Sequence, residues 1–434
     1  MSFAARLEAA LADGPLAGPL PPAAQRFAER RGGDDAARAL GDVALRGLAR
    51  VLVTQPEVAG FTSHRGPWLV RVARLAPGCL AARSLALTRE LEAVAREDLE
   101  PALDALRLCR REEMAFAACA DLAGVEPFEA VSEFLSRVAE RILGAALALT
   151  LREVRGAGDV RFSVLGMGKL AGRELSYHSD LDLIFLYRGA AEQIDAAARI
   201  GQRLISYLST MTGAGVAYEV DTRLRPSGRQ GMLVTSCDAF EHYQKQRAET
   251  WEHLAVLRAR AIAGDGEAIA VLARVHAHVL ARREPPWAEL AALRRRVEAE
   301  RAQETGGRVA LKTGAGGLMD VDFLAGGGLL ERGASEFPAL PSVPALLRAC
   351  AGGPRVEALL ADYHTLRCVE ARARWLAGRG VDVLEPGAAA VVAELVETGL
   401  DAEGLAARVA AARRRIRAAL DAVTKAGTLD ALDG

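Results

Sequence analysis

The run Gly166-Met-Gly168-Lys169-Leu-Ala-Gly172-Arg-Glu174-Leu-Ser-Tyr-His-Ser179-Asp180-Leu-Asp182-Leu-Ile-Phe185 decides the fold of this 434-residue chain. Upstream of it, Val160-Arg-Phe-Ser-Val-Leu165 has the pattern of a strand that ends in a glycine turn. Downstream, Leu181 to Tyr187 is almost wholly apolar, as a strand buried on both faces would be. Glycines at Gly166 and Gly168 would let backbone N–H groups approach an anion, and Lys169 adds a point charge suited to phosphate. The run is not a Walker A loop, because no glycine stands five residues before Gly168 and Leu170 occupies the required Ser/Thr position.

Asp180 and Asp182 stand two apart, so a strand projects both from one face about 6.5–7 Å apart along the backbone. Two carboxylates held together call for a cation, and Mg²⁺ favours a few carboxylates plus substrate phosphates. A third ligand is expected from Tyr218-Glu219-Val220-Asp221-Thr222-Arg223-Leu224-Arg225-Pro226. Read as one strand over Val216 to Leu224, this places Glu219, Asp221, Arg223 and Arg225 on a single face. Asp221 is the expected ligand with Glu219 in reserve, and Arg223 and Arg225 would hold phosphates. A second D-x-D, Asp320-Val-Asp322, reads by itself as a strand edge or turn.

Working outward, Ala196 to Thr212 reads as a helix with Asp195 as N-cap and Gly213 as stop, and Leu254 to Ile262 as a further strand. Strands separated by a long helix indicate an α/β or α+β domain. Asp34 to Leu151 carries apolar residues at helical spacing, such as Phe134-Val138-Ile142-Ala145-Leu149, and reads as a bundle of several short helices. Gly14 to Pro22 reads as a loop. After Asp265 helices resume, clearest over Ala288 to Gln303, Val356 to Ala377 and Leu405 to Val423, with the Arg294–Arg296 and Arg413–Arg415 runs as solvated faces. The expected division is a helical region over 1–155, a catalytic domain over 156–265 and a helical domain over 266–434.

Composition narrows the classes of function. Lys and Arg number 55 against 56 Asp and Glu, the net charge is -1, and aromatics make up 5%, which disfavours a nucleic-acid partner. No stretch reaches the ~18 apolar residues of a membrane span. Met1 to Leu11 carries Arg6 and Glu8 where a signal peptide needs an apolar run, and the six cysteines show no CxxC, so a reducing, cytoplasmic setting is expected. His178, His253, Trp251, His276 and His278 read as packing or turn residues.

The order of these parts resembles the DNA polymerase beta-type nucleotidyltransferase superfamily. More closely, the chain is similar to the bacterial glutamate-ammonia-ligase (glutamine synthetase) adenylyltransferase/adenylyl-removase family. Besides the runs above, Gly231-Met-Leu-Val-Thr-Ser236, Tyr243-Gln, Thr250-Trp-Glu-His253, Arg258-Ala-Arg260, Leu311-Lys312 and Gly316-Gly-Leu-Met-Asp320-Val-Asp322-Phe323 carry that resemblance. It implies a polymerase-beta-like mixed sheet between N- and C-terminal helical bundles. It also implies metal ligation by Asp180, Asp182 and Asp221, and contact with nucleotide phosphates by Gly166, Gly168, Lys169, Ser179, Arg223 and Arg225. Mg²⁺ or Mn²⁺ would be the cofactor, ATP the substrate, glutamine synthetase the protein substrate, and a PII-type signal protein a further partner. Tyr218-Glu-Val-Asp, Pro226-Ser-Gly and Trp251-Glu-His resemble the adenylylating half more than the one that removes AMP by phosphorolysis. A regulatory nucleotide-binding module without turnover is the reading from another class, and the full set of three aspartates argues against it. The chain departs from the family pattern at Asp322, where Glu is usual, and at Ala325-Gly-Gly-Gly328, where three glycines are expected to loosen a helix by ~3 kcal/mol.

Overall fold

The computed structural model describes residues 1–12, 14–62, 66–302, 304–334 and 336–432. Short helices from Phe3–Ala9 to Cys79–Val94 lead into two long ones, α1 (Leu99–Leu122) and α2 (Phe128–Glu153). The N-terminal region is thus not built of short helices alone. The periodic apolar residues of α2 run through seven turns broken only by Gly144, and nothing in that stretch stops the helix.

The middle of the chain supplies a five-stranded mixed sheet: β1 (Arg161–Met167), β2 (Leu181–Arg188), β3 (Val220–Asp221), β4 (Val234–Ser236) and β5 (Ala259–Gly264). The short helix α3 (Gly168–Ala171) follows β1, and α4 (Ile194–Ser209) follows β2. The order is β3-β2-β1-β5 with β4 also on β2. β1 runs antiparallel to both β2 and β5, while β3 and β4 lie parallel to β2. The predicted helix Ala196 to Thr212 therefore lies two or three residues early, and Gln193 rather than Asp195 takes the N-cap position.

Two sequence expectations fail here. The strand predicted over Val216 to Leu224 pairs only at Val220 and Asp221, because the Asp221 side chain accepts the Arg223 N–H at 2.8 Å and turns the chain away from the ladder. Leu254 to Ile262 is not one strand. A capping box between Glu249 and Glu252 starts the helix α5 (Thr250–Val256), and β5 begins only at Ala259.

Alternation along the central strands divides two cores. Phe162 and Val164 with Leu183, Phe185 and Tyr187 pack with the N-terminal helices. Leu165 and Met167 with Ile184 and Leu186 pack with the C-terminal ones. β2 needs an apolar side chain at nearly every position for that reason. The C-terminal side holds α6 (Trp287–Arg301), α7 (Leu318–Arg332), α8 (Pro354–Ala377) and α9 (Ala402–Ala426). Of these, α6, α8 and α9 meet the three predicted helices to within a few residues, with Gln303 lying outside the described residues.

The glycines in α7 do not loosen it; the helix is continuous and Gly326, Gly327 and Gly328 are buried. A Cβ at Gly327 would lie 2.6 Å from the Trp287 ring, and one at Gly328 2.7 Å from Cys350 Sγ. Neighbouring elements approach the α7 backbone too closely for any side chain there. The arginine runs are not simply solvated faces either. Arg294 is 1% exposed, pairs with Asp320, and donates to the carbonyls of Thr313 and Gly314 at 2.9 and 2.7 Å. Arg413 donates to Ala315 O at 2.9 Å and Arg415 to Asp362 at 2.8 Å.

Candidate active site

The site forms where β2 starts. Leu181 pairs with Val220 and Asp182 with Asp221 in a parallel ladder, so Asp182 and Asp221 are side-by-side neighbours across strands about 4.8 Å apart. Asp180 sits just before the strand. Carboxylate oxygens of Asp180, Asp182 and Asp221 all lie within 4.8 Å of one another. Burial, and then the charges of Asp180 and Asp221 partly offset by Lys312, push the Asp182 carboxyl up to about 6. Three hard oxygen donors crowding their charges fit a divalent cation such as Mg²⁺, which would relieve the repulsion.

Of the other predicted residues, Gly168, Lys169 and Ser179 line the cavity beside Asp180 and Asp182, and each makes contacts within the protein. Gly166 lies within β1, where a Cβ would meet Ile262 of β5 at 2.6 Å, so its smallness serves packing. Gly168 has φ +53°, which glycine tolerates best, and its N–H is taken by Arg258 O at 2.8 Å. Lys169 Nζ donates to both Glu370 oxygens at 2.6 and 2.7 Å. Burial lowers the ammonium to about 8 against the pull of Glu370. Glu370 is fully buried on α8. Burial works to raise it, yet Lys169, Arg374 and Arg367 outweigh that and hold it at about 2. Lys169 therefore joins the sheet to α8 with an ammonium that is already paired. Ser179 Oγ accepts the Ser176 N–H at 3.1 Å and an Arg374 N–H at 3.4 Å, so it secures the turn before Asp180.

Arg223 folds back onto Asp221, with Nε 2.6 Å from Oδ2. Arg225 donates to Thr222 O at 2.8 Å and Gly231 O at 3.2 Å, and thereby braces the turn. The shared strand face predicted for Glu219, Asp221, Arg223 and Arg225 does not exist, because the ladder ends at Asp221. Glu219 has an exposed side chain and stands outside the carboxylate group. His178 lies in the turn before Ser179. It has φ +51° and lies 6.3 Å from the Trp375 ring, and burial with nearby Arg110 and Arg374 pushes its imidazole down to about 3, so it is neutral.

Sequence reasoning missed the rest of the site's lining. A cavity of about 110 Å³ brings Asp180, Asp182, Lys169 and Ser179 together with Lys312, Asp322, Arg258 and Arg374 from further along the chain. Arg258 links Asp322 and Glu174, at 2.6 Å to each. Arg374 reaches Asp382 at 2.5 Å and Val381 O at 2.9 Å. Lys312, half-buried, forms no side-chain ion pair among the described residues, and its charge reaches Asp182. The two members of the second D-x-D separate because α7, not a strand or turn, carries them: Asp320 is fully buried against Arg294 and the Gly316 N–H, while Asp322 faces the cavity. Lys312 stands in the Leu311-Lys312 patch upstream of the glycine turn, which was its only signal. Glu370 and Arg374 look in the sequence like an ordinary i,i+4 helix pair.

The family model for glutamate-ammonia ligase adenylyltransferase matches residues 46–274, a span that includes Asp180, Asp182 and Asp221. The bifunctional glutamine synthetase adenylyltransferase/adenylyl-removing enzyme of Thioalkalivibrio sulfidiphilus is 39% identical over 267 residues, 56% of this chain and 28% of that protein. Its namesake from Nitrosococcus oceani is 37% identical over 303 residues (64% of this chain and 31% of that one). That of Chromobacterium violaceum is 36% identical over 302 residues (66% and 33%). The chain spans about a third of the length of these curated relatives. Since the matched span exceeds half of its 434 residues, the chain belongs to the glutamate-ammonia ligase adenylyltransferase family.

Proposed function

We propose that this chain transfers AMP from ATP to a tyrosine of glutamine synthetase, on a polymerase-beta-type nucleotidyltransferase fold whose catalytic unit is 156–265. The observation that carries the reading is the parallel register of β2 and β3, which sets Asp221 beside Asp182 with Asp180 within 4.8 Å, in a chain of this family. Asp180, Asp182 and Asp221 would hold Mg²⁺ or Mn²⁺. When bound, the cation supplies charge neutralisation for the phosphates of ATP.

The remaining work belongs to the chain's own groups. Lys312, the cation of the cavity without an ion-pair partner among the described residues, is placed to bind a phosphate oxygen. Lys169 and Arg374 hold Glu370 and Ser179, and so keep the turn before Asp180 in place. The cavity of about 110 Å³ is well below the ~300 Å³ of small-ligand pockets, so it suits the phosphate end of a nucleotide and leaves the nucleoside outside. Attack by a tyrosine hydroxyl would expel pyrophosphate, and positioning and charge would supply most of the acceleration. No described helix is long and apolar enough to cross a membrane. ATP and glutamine synthetase place the reaction in the cytoplasm, with a PII-type protein as its candidate regulator.

Labelled ATP, Mg²⁺ and unmodified glutamine synthetase test the reading, with Asp180→Asn alongside. AMP should appear on a tyrosine with the wild type, and the variant should lose at least ~10³-fold, about 4 kcal/mol of barrier. Phosphate-dependent release of ADP from AMP-modified synthetase, without forward transfer, would assign the removing reaction instead.

A further inference from the structure

Helix α8 carries a second cluster of reactive groups, away from the carboxylates. Cys368 Sγ lies 3.3 Å from His364 Nε2, and His364 Nδ1 lies 2.5 Å from Glu129 Oε1 in the first turn of α2. Cys368 and His364 share a helix face because they are four residues apart. Their partners occupy opposite nitrogens of one ring, so the three donor atoms do not converge as a chelate would. The geometry is that of a thiol, imidazole and carboxylate in series.

The cluster is open to solvent. The His364 side chain is 43% exposed, Cys368 is half-buried, and the ring borders a cavity of about 710 Å³ that also touches Phe128 and Arg367. Two arginines of α8 flank the cluster, Arg372 beside Cys368 and Arg367 beside Glu129. Hydrogen bonding to Cys368, and then to Glu129, raises the His364 imidazole to about 10 against the effect of burial, so at pH 7 it is an imidazolium whose two N–H groups face Glu129 and the sulfur. Among the described residues the other cysteines show no such histidine partner: Cys119, Cys237 and Cys350 are buried, and burial raises the half-buried Cys79 thiol to about 11 and that of Cys109 further.

We propose that Cys368 is a modification site, a thiol activated by the His364–Glu129 pair that reacts with soft electrophiles of the hydroperoxide class. The Cys368 thiol gives its proton to solvent, the His364 imidazolium holds the thiolate through Nε2–H, and the sulfur attacks one peroxide oxygen, solvent returning a proton to His364 at the end. The S–O bond forms as the O–O bond breaks, and the departing hydroxide takes the proton from His364 and leaves as water. Cys368 is oxidised to the sulfenic acid and the peroxide is reduced. Cys368 lies two residues before Glu370, on the helix that fixes Lys169.

The full chain is treated with limiting iodoacetamide at pH 7, or with equimolar hydrogen peroxide and dimedone, and all six cysteines are read by peptide mass spectrometry. Cys368 should react at least ~10-fold faster than Cys79 in the same sample, and both His364→Ala and Glu129→Gln should slow it at least ~5-fold. Glu129 is two-thirds exposed, so Glu129→Gln provides a folded variant even if His364→Ala does not fold. Reaction at Cys368 no faster than at Cys79, or unchanged in Glu129→Gln, would overturn the assignment.

Discussion

Replacing Asp182 by Asn should stabilise the cation-free protein while abolishing its activity. The native Asp182 carboxyl sits at about 6 against 3.8 when unfolded, because burial and then Asp180 oppose its charge. A carboxyl with a raised native pKa favours the folded state only while it is protonated. Stability is therefore lost as pH rises from about 4 through 6, and the penalty is complete at pH 7.5. A shift of about 2 units at 1.36 kcal/mol each bounds the penalty at ~3 kcal/mol. Asn keeps the shape, removes the charge and gives up no side-chain hydrogen bond, so a gain of ~1–3 kcal/mol is expected in EDTA at pH 7.5. With an unfolding entropy of about 0.9 kcal/mol per kelvin for a chain of this length, Tm should rise by about 1–3 °C. The gain should fall to about a third near pH 4.5 and vanish only below about pH 3.8, where the carboxyl is protonated in both states. Mg²⁺ should raise the wild-type Tm and leave the variant unmoved, and AMP transfer should fall at least ~10³-fold. A variant that melts lower than wild type in EDTA at pH 7.5, or that gains as much from Mg²⁺, would refute the reasoning.

Four further outcomes follow from the packing and the cavity. Gly327→Ala forces a methyl against the Trp287 ring at 2.6 Å and should destabilise by about 1–2 kcal/mol by denaturant titration, even after the better helix propensity of alanine. Gly326→Ala meets only the end of the Leu254 side chain and should change stability by under about 0.5 kcal/mol. Lys169→Met should cost about 3 kcal/mol by leaving Glu370 buried with weaker compensation, and adding Glu370→Gln should recover part of the loss in the same titration. Lys312→Ala should leave Tm unchanged and lower AMP transfer at least ~10²-fold, with Lys312→Arg retaining more activity because the charge persists.

Two carboxylates at Asp180 and Asp182, an apolar strand after them and an acid some 40 residues on were enough to read an α+β sheet and to nominate Asp221. That was possible because strand alternation is local, and a doubly buried strand must be apolar at every position. Local pattern misled wherever a side chain captured the backbone: Asp221 bends its own strand into a turn, and the Glu249–Glu252 box makes a helix of an apolar run. The alternating acids and bases after Tyr218 looked like one strand face, yet they form a turn and its braces.

The sequence by itself determined the helical flanks, the strands between them and the acids beside the second strand, because burial patterns repeat every two or 3.6 residues. Tertiary structure alone decided which charges are free and which are spent. Lys169 stands in the run that reads as phosphate-binding, but α8 supplies Glu370 from 201 residues away and takes its ammonium. The three glycines of α7 read as a weakness until Trp287, Leu254 and Cys350 are seen against them. Lys312 faces the carboxylates only because the C-terminal helices close over the sheet, and no local periodicity records a partner brought in from so far along the chain.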